Sequence, residues 1–114
     1  MTSNCQNRIQ QSYESRTKDI KELYYAEDQY TEELGYLHEY FLCLDTVEKG
    51  TFTDQKHEFI RLQISWGGPQ EEFRYYPHNH KLEYWFLDWF DGANIEVNDQ
   101  EIKDIILDIM QINF

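Results

Sequence analysis

Lysine and arginine are scarce in this chain: ten of them face twenty-two aspartates and glutamates, giving a formal charge of −12 on 114 residues. A surplus of that sign repels nucleic-acid phosphates and attracts basic protein surfaces, so direct nucleic-acid binding is disfavoured. Cysteine is nearly absent. Cys5 and Cys43 form no CxxC or CxH spacing, which argues against a disulfide framework or a zinc site and fits a reducing, cytoplasmic setting. No run approaches the ~18 apolar residues of a membrane span, and the polar start Met1-Thr2-Ser3-Asn4 lacks the apolar stretch of a signal peptide. We expect no membrane partner. Only two prolines and five glycines occur, and none precedes Gly35.

What the chain does have is aromatic: seven Phe, nine Tyr and three Trp. Disordered acidic chains are poor in such residues, so a packed core and one domain spanning 1–114 are expected. The charge is also unevenly placed. From Glu22 to Glu48 there are eight carboxylates and no Lys or Arg, and from Glu83 to Asp108 eight more with only Lys103 opposing them. Acidity can serve solubility alone, but −12 exceeds the magnitude of about 2 to 8 that suffices for a small domain.

The segment from Asn4 to Leu34 is rich in Gln, Glu, Lys, Leu and Tyr and reads as one long helix stopped by Gly35. Ile9, Tyr13, Arg16, Ile20, Leu23, Glu27, Tyr30 and Leu34 recur at steps of three and four, a narrow stripe whose first half is expected to lie loosely on the core. Residues 1–35 are thus a long acidic helix that either packs or projects, and 36–114 an α+β core. Tyr40 to Val47 alternates as a first strand, although Tyr36 to Phe41 could also prolong the helix. Phe59 to Trp66 alternates clearly as a second strand, and Glu72 to Tyr76 forms a hairpin with it across Gly67-Gly68-Pro69. From Leu82 to Phe90, Leu82, Tyr84, Phe86 and Phe90 fall on one side and Trp85, Leu87 and Trp89 on the other. Both sides are apolar, so this strand is either covered on both faces by the helices or presents an aromatic face to a partner. Asp91-Gly92 closes it. Asn98 and Glu101 have capping-box spacing, and Ile102, Ile105, Ile106 and Ile109 follow at helical steps with Asp99, Glu101, Asp104 and Asp108 off the stripe. The expected fold is α+β: a long N-terminal helix, a four-stranded antiparallel β-meander and a C-terminal amphipathic helix.

No catalytic motif emerges. Asp88 with Asp91, or Glu71 with Glu72, are the carboxylate pairs to weigh for acid/base work; for Asp88 the simpler reading is a hydrogen bond to the following turn or a pair with Arg61 or Arg74. His78 and His80, with His38 and His57, could be metal ligands, but their Pro77-containing turn favours solvated histidines. No catalytic residue, metal or cofactor is expected.

The strings Ile64-Ser-Trp-Gly-Gly-Pro69, Glu72-Phe-Arg74 and Leu82-Glu-Tyr-Trp-Phe-Leu-Asp-Trp-Phe-Asp-Gly-Ala93 resemble a pattern in small acidic accessory proteins of plasmids, phages and other mobile elements, over roughly residues 38 to 110. Such elements carry anti-CRISPR and antirestriction inhibitors, several of them DNA mimics. The resemblance implies a non-enzymatic inhibitor, acting in the bacterial cytoplasm on a basic nucleic-acid-binding protein: a CRISPR effector or another defence nuclease. Duplex DNA presents one negative charge per ~1.7 Å of axis, which carboxylates on a rigid surface can imitate. Glu22, Glu27, Asp28, Glu32 and Glu33 on the long helix, Asp104 and Asp108 on the last one, and Trp85 and Trp89 as aromatic anchors are the candidate partner-binding residues. An immunity protein or antitoxin capping a basic toxin nuclease, an antirestriction protein and a scaffolding homodimer stay open as alternatives.

Overall fold

The structure, a computed structural model, describes residues 4–66, 68–88 and 91–111. Helix α1 runs Asn4–Tyr25. Its stripe is firmly packed from the first turn: Cys5 and Ile9 are as buried as Ile20 and Leu23, and the Cys5 N–H donates to Asp91 Oδ2 at 2.9 Å. The expected loose first half is therefore a docked one.

The helix stops at Tyr25, not Leu34. Beyond it Ala26 is extended, and Asp28 and Gln29 take positive φ of 57° and 50°. The last turn holds no basic residue to meet the helix dipole, and the carboxylates that follow have no Lys or Arg one turn on to pair with. The chain instead makes a 3-10 turn, Glu27–Gln29, and a small hairpin of β1 (Tyr30–Thr31) and β2 (Gly35–Tyr36). Gly35 does adopt the left-handed conformation, φ 80°, but in this hairpin and not as a helix cap.

A single helical turn, α2 (Leu37–Tyr40), leads into β3 (Cys43–Val47), β4 (Phe59–Ser65), β5 (Gln70–Tyr76), β6 (Lys81–Asp88) and β7 (Asp91–Glu96), which form one antiparallel sheet in sequence order. The expected four-stranded meander is thus a five-stranded sheet beside a separate two-stranded one. The unexpected strand β7 reads Asp-Gly-Ala-Asn-Ile-Glu, a poor strand former by composition. Its pairing with β6, from Asp88↔Asp91 to Glu83↔Glu96, outweighs that local preference. Trp89 and Phe90, the expected end of β6, lie outside the described residues.

Helix α3 (Gln100–Ile109) is capped by Asp99, one residue beyond the expected Asn98: its Oδ1 accepts from the N–H groups of Glu101 and Ile102. Ile102, Ile105, Ile106 and Leu107 are buried. Cross-strand pairing places Leu62, Phe73, Tyr84 and Ile95 in one row on one face of the sheet, and α1 and α3 both contribute to the core on that face. The alternate residues, Trp85 and Leu87 among them, point the other way. Of the two readings of this strand, cover by the helices on both faces is therefore the one overturned, because both helices use the side that bears Leu82, Tyr84 and Phe86.

Candidate functional site

Of the five carboxylates expected on the long helix, only Glu22 lies on α1. Glu27 and Asp28 occupy the 3-10 turn and Glu32 and Glu33 the tip of the β1–β2 hairpin; all five are exposed, as are Asp104 and Asp108 on α3. A straight helical row of charge is thus replaced by a set spread over a helix end, a turn, a hairpin and a second helix. The end of α1 is nevertheless tied to α3. Tyr24 Oη donates to Asp108 Oδ2 at 2.7 Å, Tyr25 Oη to Glu101 Oε2 at 3.1 Å, and Lys21 Nζ pairs with Glu101 at 3.1 Å. A hollow of 410 Å³, lined in part by Tyr24, Gln29, His38 and Asp108, sets the residues that flank the hairpin beside the C-terminal end of α3. Tyr25, Tyr30 and Tyr36 stand among the carboxylates, 63%, 42% and 42% exposed.

A different surface occupies the open face of the sheet. On β5, Arg74 Nε donates to Glu72 Oε2 at 2.6 Å, and Gln70 Nε2 donates to the other oxygen of this fully buried carboxylate. The Arg74 guanidinium lies 3.9 Å from the centroid of the Trp85 ring and 4.6 Å from that of Phe59, a geometry in which ring quadrupole and cation attract. Arg61 makes a two-pronged bond to Asp45, at 3.0 and 2.7 Å. The loop after β3 brings Phe52, Lys56 and His57 over this floor, and a cleft of 630 Å³ results. At its rim His57 and His78 stack with ring centroids 3.7 Å apart. Among the described lining residues Asp54 alone is acidic, against Lys56, Arg61 and Arg74.

The carboxylates weighed for acid/base work are separated by the sheet. Glu71 and Glu72, adjacent on a strand, point to opposite faces. Glu71 is held under α1 by Arg16, at 3.0 and 2.7 Å, by Ser12 Oγ at 2.6 Å and by Tyr84 Oη at 2.6 Å. Burial works to raise its pKa, but these donors overcome it and lower it to about 2. Burial and the Glu71 contact push the Tyr84 hydroxyl up, so this node stays charged-paired and protonated across neutral pH. Asp88 pairs with Arg8 at 2.7 Å, not with Arg61 or Arg74: it shares the face of Tyr84, and they occupy the other. Asp91 turns to the Cys5 N–H.

His78 and His80 also separate: His80 Nδ1 meets Tyr75 Oη at 2.8 Å while His78 lies on His57. No group of three or more His, Cys, Asp or Glu able to hold a metal ion occurs among the described residues. Burial, then Asp91, pushes the Cys5 thiol up, which disfavours a nucleophilic thiolate. Among the described residues no helix is long and apolar enough to cross a membrane.

Trp85 is the expected site residue that the open face does bring into a cleft; Trp89 lies outside the described residues. Sequence reasoning missed Phe52, Lys56, Phe59, Arg61, Arg74 and Tyr76 as its companions. The signal was there for the strand residues, since strand alternation puts Arg61 opposite Arg74, on the wetter face of the sheet. The loop residues had none. No family model matches the chain, and no curated protein or solved structure does either.

Proposed function

We propose that this protein is a non-enzymatic inhibitor carried by a mobile element, which binds a basic nucleic-acid-binding surface on a host defence nuclease, in the first instance a CRISPR effector complex. The reading rests on two acidic stretches, distant in sequence, whose elements are tied together: the end of α1, which bears Glu22 and is followed by the exposed Glu27, Asp28, Glu32 and Glu33, is bonded through Tyr24 and Tyr25 to α3, which bears Asp104 and Asp108. Their charges steer the encounter with a Lys/Arg-lined channel. Exposed tyrosines interleaved with them, Tyr25, Tyr30 and Tyr36, supply the aromatic anchors in which interface energy concentrates. Trp85 belongs to another surface and is not needed for this contact.

The test is capture of the nuclease from host cells on the immobilised protein at low and high salt, followed by competition with guide or target nucleic acid on the purified pair. Capture should fall steeply with salt and disappear for the quadruple variant Glu27→Gln, Asp28→Asn, Glu32→Gln, Glu33→Gln, each of whose positions is exposed. A complex that forms equally well with nucleic acid already bound, or that ignores the quadruple variant, sinks the reading. Capture of a toxin nuclease encoded beside the gene would instead assign the same surface to an immunity protein.

A further inference from the structure

The cleft on the open face is close to neutral within a strongly acidic molecule, since Asp45 and Glu72 meet the charges of Arg61 and Arg74. In a chain of net −12, its lining offers Lys56, Arg61, Arg74 and two histidines against the single carboxylate Asp54. Arg74 and Arg61 are committed to Glu72 and Asp45, which makes them a fixed floor. Lys56 has no ion pair among the described residues, and with the stacked His57 and His78 it forms the wall nearest to solvent.

We propose that this cleft binds a small anion carrying a planar aromatic ring, of the size and charge of a nucleoside monophosphate. The volume of 630 Å³ lies within the roughly 300–1,000 Å³ of small-molecule sites, which are mostly apolar and aromatic with a few placed polar groups. Phe52, 45% exposed at the lip, presents a ring face above an Arg74 guanidinium that is itself held against the rings of Trp85 and Phe59. The anionic group would lie at Lys56 and the histidine pair. A long nucleic acid does not fit this chemistry, because every phosphate outside the cleft meets the acidic field of the rest of the chain. The site lies on the face opposite to α1 and α3 and does not depend on the inhibitor reading.

Titration of the isotopically labelled full chain with adenosine 5′-monophosphate, followed by NMR, tests it, with adenosine, inorganic phosphate and a single-stranded oligoadenylate as parallel arms. The Trp85 indole and the His57 and His78 ring signals should move with the monophosphate. It should bind at least about tenfold more tightly than adenosine or phosphate alone, the increment of one charge-assisted hydrogen bond. Lys56→Glu and Phe52→Ala, both at exposed loop positions, should each weaken binding by a comparable factor, while Lys18→Glu on the outer side of α1 leaves it unchanged. The proposal is overturned if none of the probes moves these signals, if Lys56→Glu binds as well as the unaltered chain, or if either half of the ligand binds as well as the whole. Tighter binding of the oligoadenylate would overturn it in favour of a strand-binding groove.

Discussion

Glu71 and Glu72 are neighbours in sequence and lie on opposite faces of one sheet, and each is paired with an arginine. Glu71 reaches Arg16 on a helix far away in the chain, together with Ser12 and Tyr84. Glu72 is satisfied within its own strand, by Gln70 and Arg74. The first pair fastens the helix layer to the sheet and is covered by it. The second is satisfied without the helix layer, and the loop after β3 closes over it to leave a partly aromatic cleft. An ion pair between layers acts as a fold contact, and one within a strand shapes a surface.

Truncation on the two faces should separate these roles most strongly. Tyr84→Ala empties a fully buried position and should cost about 4 kcal/mol, whereas Trp85→Ala, at a half-buried one, should cost about 2 kcal/mol. Urea unfolding of both variants checks the order, and equal losses would mean that the open face is packed as tightly as the closed one.

Next in size is the Glu71 pair. Glu71→Gln leaves Arg16 partly buried without its charge partner and should cost about 3 kcal/mol at neutral pH. The pH dependence has a definite sign. Glu71 ionises at about 2 in the folded chain, below its ordinary 4.5, so its contribution is complete above pH 4.5 and is lost as pH falls towards 2. A stability profile from pH 6 to 2 should therefore drop less steeply for the variant than for the unaltered chain. Parallel acid limbs would show that the carboxylate is not the group being titrated.

The smallest effect is expected where the helix layer is pinned at its edge. Asp88→Asn removes a pair whose Arg8 side chain is 41% exposed, and solvent screening should hold the loss below about 1 kcal/mol. A thermal melt that drops as far as that of Glu71→Gln would make the edge contact as important as the central one.

Much of the fold could be read from local pattern. The isoleucine stripe of α3, the alternation of β4 and the two-sided β6 are present because their periods of 3.6 and 2 are set by residues within a few positions of each other. The length of α1 could not be read in the same way. Nothing between Asn4 and Leu34 forbids a helix locally, and the break at Tyr25 comes where the buried stripe ends and the unopposed carboxylates begin. Strand β7 was illegible for the opposite reason, since its residues favour no strand until β6 offers a full ladder of partners.

By itself the sequence determined the α+β class, the sign of the surface charge and the parity that sets Arg61, Arg74 and Trp85 on one side of their strands. The tertiary structure alone decided which side the helices leave free. Both faces of β6 are apolar, so its pattern is the same whichever one is covered, and only the docking of α1 and α3 on the Tyr84 side left the Trp85 side as a cleft. The same docking tied the end of α1 to α3 through Tyr24 with Asp108 and Tyr25 with Glu101, because packing brings together residues that local periodicity cannot relate.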